Sequence, residues 1–215
     1  MTYSLLEDDP KAALEHAAAA QRRAGRVGLV REAAGLAAYR AGEYELALRE
    51  LRTARRLTGS QVHLPVMADC ERGLGRPERA LELASSPEVK QLDRAGQIEM
   101  LIVAAGARQD KGQFDAAVVM LQVPELTRAR GPQPAIARLM SAYADALEAA
   151  GREDEAQTWL RRAAAADVDG LTGAAERLGL DVHDGVQGEV VDLLGDDPDD
   201  GTETADGEDQ PKGGS

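Results

Sequence analysis

The sequence predicts an all-α protein, an α-solenoid in which antiparallel helix hairpins stack on one another. Three observations predict this class: a Gly–Ala spacing that recurs four times, a core composition of small helix formers, and the loss of helical periodicity after residue 180. Apolar residues make up 43% of the chain but aromatic residues only 3%, so a core must be built mainly from Ala, Leu and Val. Ala is the best helix former, and this composition favours thin helical layers over a β-sandwich.

The recurring unit is a glycine followed five residues later by an alanine, with a helical pattern on either side. The four copies are AGEYELALREL (41–51), LGRPERALELA (74–84), KGQFDAAVVML (111–121) and AGREDEAQTWL (150–160). The glycine suits a left-handed helix cap, and the alanine suits a point where two helices cross closely. One such hairpin cannot bury its apolar face alone, so several must stack.

This pattern resembles the tetratricopeptide repeat family, whose unit is about 34 residues long. The match is best over 28–59, through Gly35, Ala38, Gly42, Tyr44, Ala47, Leu51 and Ala54. The fourth unit, 137–167, matches through Ala144, Gly151, Ala156, Leu160 and Ala163. Pro87 and Pro124 are expected to shorten the second helices of units two and three. The resemblance implies a bacterial, cytosolic protein with four hairpins over 28–167. A related helical-hairpin array is the alternative, because the family's Trp and Phe positions are mostly not matched.

The flanks of the array are predicted to be helical as well. Residues 1–27 are expected to hold a half repeat with a helix over 10–24, where Pro10 suits the first turn and the preceding acids suit the positive end of the helix dipole. Residues 168–180 are expected to hold a closing helix, with Thr172 as a candidate N-cap.

The last segment, 181–215, is predicted to be a disordered acidic tail. It holds 12 acidic residues and one basic residue, whereas 1–180 holds 26 and 24. Such a segment buries too little apolar area to offset its ordering entropy. It contains one apolar island, GEVVDLLGDD (188–197), which suggests transient docking on the body; a purely solubilising tail is the alternative.

Catalytic and metal-binding patterns are not found in the sequence. His16, His63 and His183 lie far apart, without the spacing of a ligand motif. Cys70 lies in a predicted helix and is expected to be a small buried thiol. No nucleophile–base pair and no phosphate-binding loop is evident. We therefore expect no enzymatic activity, no metal and no cofactor.

The compartment is predicted from the cysteine count and the N-terminus. Cys70 is the only cysteine, so the chain has no internal disulfide. The start MTYSLLEDDPKAALEH lacks the basic and apolar regions of a secretory signal. The apolar stretches are shorter than the roughly 20 residues of a membrane span. These features favour a cytoplasmic protein.

Function in a tetratricopeptide-like array is expected on the concave face formed by the first helix of each hairpin. A non-enzymatic scaffold that binds a peptide or helix of a protein partner follows from this resemblance, and a plain solvated helix face is the alternative for each residue. Glu32 and Leu36 stand where the family's carboxylate-clamp members have basic or amide groups, which argues against binding of an acidic chain terminus. The candidate partner-binding residues are Glu32, Leu36, Tyr39, Arg40, Asp69, Arg72, Glu99, Ile102, Gln109, Arg138, Ser141, Asp145 and Glu148.

An alternative function is a regulatory module that contacts nucleic acid or a nucleotide-dependent enzyme. The stretch 20–60 favours it, with nine Arg against four Glu. The isoelectric point near 4.7 and the few aromatic residues argue against it, as does the lack of a recognised reader motif.

Overall fold

A computed structural model describes residues 9–128 and 133–180. Within these ranges the chain forms eleven α-helices, one short 3-10 helix and no strand, which confirms the predicted all-α class. None of the described helices is both long enough and apolar enough to cross a bilayer. The predicted acidic tail, 181–215, lies outside the described residues.

Helices lie on both sides of each repeat glycine. The helices are α1 (Pro10–Ala24), α2 (Gly28–Arg40), α3 (Tyr44–Thr58), α4 (Leu64–Gly73), α5 (Pro77–Ala84), α6 (Arg94–Asp110), α7 (Phe114–Leu121), α8 (Pro124–Arg128), α9 (Pro134–Ala149), α10 (Glu153–Ala166) and α11 (Ala174–Arg177), with the 3-10 helix at Pro87–Gln91. The pairs α2/α3, α4/α5, α6/α7 and α9/α10 flank the four glycines, and the second helices α5 and α7 are short, with eight residues each.

The two flanking helices differ in how well the sequence predicts their ends. Helix α1 begins at Pro10, and the Asp9 carboxylate accepts a hydrogen bond from the Ala12 N–H at 3.0 Å, as expected of a capped start. Helix α11 begins at Ala174, and its N-cap is Gly173 rather than the predicted Thr172. The Thr172 hydroxyl still accepts a hydrogen bond from the Ala174 N–H at 3.2 Å, with Gly173 between them at the N-cap position.

The turn between the two helices of each pair is the same Schellman motif. Gly42 has a φ of 78°, its N–H donates to the Tyr39 carbonyl at 3.0 Å, and the Glu43 N–H donates to the Ala38 carbonyl at 2.8 Å. The same bonds recur at four further glycines, each with a φ between 69° and 76°. These are Gly75, Gly112, Gly151 and Gly179. The copy at Gly179 is not among the four units identified in the sequence.

Each second helix lies close against its first helix at the predicted alanine. Ala47, Ala80 and Ala117 are fully buried, and Ala156 is 6% exposed. Helices α2 and α3 approach closely, and a Cβ added to Gly35 would lie 2.6 Å from the Leu51 side chain. First helices also pack on one another, α4 against α6 and α6 against α9. The array of first helices positions the candidate site.

Candidate partner-binding face

The candidate site residues lie on helices α2, α4, α6 and α9, and eight of the thirteen contact a polar side chain of a neighbouring element in the array. We call this set of paired side chains the polar ladder. Its members are Glu32, Tyr39, His63, Asp69, Arg72, Glu99, Asp110, Arg138, Asp145, Glu148 and Arg177.

Tyr39 connects α2 to α4. Its hydroxyl donates a hydrogen bond to the Asp69 carboxylate at 2.6 Å. Burial raises the pKa of Tyr39 well above its ordinary value, and the hydrogen bond to Asp69 and the negative charge of that group raise it further. The phenol therefore stays protonated and remains a donor throughout the physiological pH range.

Arg72 connects α4 to α6. Its guanidinium donates to Asp69 at 2.7 Å and to both carboxylate oxygens of Asp110, at 2.7 and 3.2 Å. Burial lowers the pKa of Arg72, but the hydrogen bonds and charges of the two aspartates outweigh burial and raise it overall. A Cβ at Gly106 would lie 2.8 Å from the guanidinium carbon, so a glycine on α6 leaves room for the Arg72 side chain. The bidentate geometry fixes the relative position of the two helices.

The ladder continues through the last two first helices. Glu99 on α6 lies 2.8 Å from Arg138 on α9. Burial raises the pKa of Glu99, while the Arg138 charge opposes that rise. Arg177 on α11 then pairs with Asp145 at 2.6 Å and with Glu148 at 3.1 Å, both on α9.

At the other end of the ladder, Glu32 on α2 lies 3.1 Å from the His63 Nε2 atom, beside the start of α4. His63, Asp110 and Arg177 are ladder members that the sequence reasoning missed. The sequence does carry a signal for Asp110 and Arg177. Each stands two residues before a turn glycine, which is the position that the candidate residue Arg40 has before Gly42.

The remaining candidate residues are placed differently. Leu36, Ile102 and Gln109 are half-buried, and Arg40 is exposed. Ser141 is only 8% exposed, so its hydroxyl offers little surface to a partner.

An apolar row accompanies the ladder on the same helix faces. The apolar row consists of Leu29, Leu36, Val66 and Ile102. Each of them lies three residues from a ladder member, and residues three apart on a helix share a face. Leu29 is 60% exposed, whereas Leu36, Val66 and Ile102 are half-buried. The first-helix face therefore combines fixed charges with accessible aliphatic side chains.

The basic stretch 20–60 is largely used for internal pairing. Arg31 lies 2.6 Å from Glu50, and Arg52 lies 2.7 Å from Glu71. These two glutamates are among the most buried polar residues of the described chain, at 4% and 1% exposure. In the same way Arg55 pairs with Glu88 at 3.1 Å. Much of the positive charge in this stretch therefore stabilises helix packing.

Cys70 is fully buried, and burial raises the pKa of its thiol to about 12, so it is a poor nucleophile at neutral pH. No group of three or more His, Cys, Asp and Glu side chains in residues 9–128 and 133–180 is arranged to hold a metal ion. A cleft of about 220 Å³ lies between α9, α10 and α11, and ladder members Glu148 and Arg177 are part of its wall.

Comparison with known proteins adds no relative. A scan against protein-family models gives no match for this chain, and a search of the curated proteins gives none either. Function has to be inferred from the fold, the polar ladder and the apolar row.

Proposed function

We propose that this chain is a non-enzymatic cytoplasmic scaffold of the tetratricopeptide kind, whose hairpins stack as an α-solenoid. The recurring Schellman turn and the buried alanine five residues after each of the first four glycines support this architecture. In such a stack the first helices form a continuous groove, and this groove binds a peptide or helix from a protein partner.

The observation that carries the proposal is the polar ladder. Its ion pairs and hydrogen bonds run from Tyr39 on α2 to Arg177 on α11, so consecutive first helices are tied together along the groove. A face that is fixed before binding loses less entropy when a partner docks. The ladder thus preorganises the groove for recognition.

The partner's chemistry follows from what the groove leaves accessible. The apolar row at Leu29, Leu36, Val66 and Ile102 suits aliphatic side chains of a partner. The charged groups carry both signs; Arg138 and Glu148 keep 51% and 62% of their side chains exposed. A segment with an apolar stripe and both charges matches this surface.

The test compares partner capture by full-length chains that differ at one groove position. We expect Leu36→Glu to lose a defined set of proteins captured from a native lysate, because a charge in the apolar row opposes docking. Val119→Glu is the matched control, since Val119 is 66% exposed on the second helix α7. Circular dichroism verifies that both variants fold. Equal capture by all three chains would contradict the groove.

The alternative, a module that binds nucleic acid through residues 20–60, is supported by four exposed arginines. Arg22, Arg23, Arg26 and Arg56 have no ion pair among the described residues. Phosphate binding would show a steep salt dependence for an oligonucleotide, and its absence would exclude this alternative.

A further inference from the structure

A second exposed surface lies at the end of the first hairpin, where α2 begins and α3 ends. Val27, Leu57 and Val62 are 50%, 48% and 59% exposed. The start of α2 and the end of α3 lie close together, since a Cβ at Gly28, next to Val27, would lie 2.4 Å from the Thr58 side chain and 3.8 Å from that of Leu57. Val62 follows in the short loop between α3 and α4. We call these three residues the hairpin-end patch.

Four arginines lie close to this patch along the chain. Arg22 and Arg23 occupy the last turn of α1, Arg26 precedes Val27, and Arg56 precedes Leu57. All four are exposed, and none has a carboxylate partner within the described part of the chain. Nearby arginines behave differently: as described above, Arg31, Arg52 and Arg55 each pair with a glutamate. The exposed guanidinium groups that have no carboxylate partner among residues 9–128 and 133–180 thus lie close in the chain to the exposed aliphatic side chains.

We propose that the hairpin-end patch docks an acidic segment of a partner protein, one in which aliphatic residues are flanked by Asp and Glu. Guanidinium groups bind carboxylates with bidentate geometry, and this chain already uses that pairing for its own helices. Burial of Val27, Leu57 and Val62 under the partner's aliphatic side chains supplies the nonpolar contribution to binding.

Charge complementarity alone would also suit a nucleic acid, but the patch favours a protein. A phosphate backbone would pair with the arginines and leave the three aliphatic side chains exposed. Single-stranded nucleic acids are usually held by aromatic stacking, and the patch contains no aromatic residue. The patch differs from the first-helix groove, because Leu57 belongs to a second helix and none of the three residues is a ladder member.

The test titrates the full-length protein into labelled probes and measures fluorescence anisotropy. The first probe is a short synthetic peptide in which Val and Leu pairs alternate with Asp and Glu. The second has the same acidic residues with Ser in place of Val and Leu, and the third is a single-stranded RNA oligonucleotide.

The chain's own segment 188–197 has a composition similar to that of the first peptide. The titration is therefore repeated with Val190, Val191, Leu193 and Leu194 replaced by Ser, so that this segment cannot compete.

The expected result is binding of the first peptide only. Val27→Ser combined with Leu57→Ser should weaken it by about tenfold or more, because buried aliphatic area is lost. Arg26→Gln combined with Arg56→Gln should weaken it and flatten its salt dependence. Val119→Ser and the groove variant Leu36→Glu should bind unchanged, which separates this patch from the groove.

Four outcomes would overturn the proposal. These are no binding of the first peptide in either background, equal binding of the Ser peptide, tighter binding of the RNA, and unchanged binding by the Val27 and Leu57 double variant. Because Val27, Leu57, Arg26 and Arg56 are all exposed, loss of folding is not expected to obscure the results for the patch variants.

Discussion

Two regions of the described chain, α1 to α5 and α6 to α11, are stabilised by different interactions. From α6 onward, one large apolar cluster joins the helices through residues such as Leu121, Leu139 and Leu147. Helices α1 to α5 contain smaller clusters, and the one between α1 and α2 consists of four alanines, with Leu14 packed beside them. The first region also buries two charged residues, Glu50 and Glu71. In the described part of the second region the buried polar residue is Ser141, which carries no charge.

The difference teaches how an alanine-rich repeat protein can hold helices together. An alanine buries little apolar area, so a hairpin built from Ala gains less from the hydrophobic effect than one built from Leu, Ile and Met. In the first region, buried carboxylates bridge the helices instead. Glu50 on α3 accepts hydrogen bonds from Arg31 on α2 and Gln21 on α1, at 2.6 and 2.7 Å. Such bridges are directional, which fixes the helices but adds less net stability than a large apolar core.

The largest expected effect concerns the apolar cores of the two regions. Leu147→Ala should lower the free energy of unfolding by about 2–5 kcal/mol, because it opens a cavity in the large cluster. Leu51→Ala is the matched change in the first region, where Leu51 is equally buried. We expect a smaller loss there, since a cluster of fewer large side chains is able to collapse around the space. Urea denaturation measures both, and a larger loss at Leu51 would contradict the comparison.

Substitution of the two buried glutamates should lower the free energy of unfolding by smaller and unequal amounts. Glu50→Gln should cost about 1–3 kcal/mol, because both carboxylate oxygens have partners and the Arg31 interaction is charge-assisted. Glu71→Gln should cost less. One Glu71 oxygen accepts from Arg52, but the other has no hydrogen-bond partner among the described residues, and the Arg76 guanidinium is 3.6 Å away. Equal losses in denaturation experiments would show that partner number does not determine the cost.

The repeat turns could be predicted from the sequence, but the ladder could not. Gly42 and Ala47 carry a local signal, because a left-handed cap and a helix crossing each need a small residue. Ladder partners lie far apart in the chain: Tyr39 and Asp69 are 30 residues apart, and Arg72 and Asp110 are 38 apart. Their meeting depends on the register between neighbouring hairpins, which no local pattern specifies.

The turn at Gly179 was missed for a different reason. The repeat pattern has an alanine five residues after each glycine, whereas position 184 is an aspartate. A small residue five positions before the glycine would have identified it. Ala174 is fully buried there, as are the residues at the same position in the other turns, Ala37, Cys70, Ala107 and Ala146.

The smallest expected effect follows from that shared position. Cys70→Ala should cost only about 1 kcal/mol at neutral pH, since alanine occupies the equivalent place elsewhere. Burial raises the pKa of the Cys70 thiol from about 9 to about 12, so the folded chain keeps a proton that the unfolded chain releases. The parent chain should therefore lose more stability than the variant as the pH rises from 9 toward 12. Parallel pH dependences of unfolding would contradict this assignment. Tyr39 titrates in both chains and cancels in the difference.

Native-state hydrogen exchange tests the contrast between the two regions most directly. Amides of α9 and α10, within the large apolar cluster, should exchange slowest, and amides of α1 to α3 should exchange faster through local opening. Glu50→Gln should increase exchange in α1 to α3 more than in α9 and α10, because it weakens the charge-assisted bridge that joins α1, α2 and α3. Slowest exchange in α1 to α3, or an equal response of the two regions to Glu50→Gln, would contradict this account.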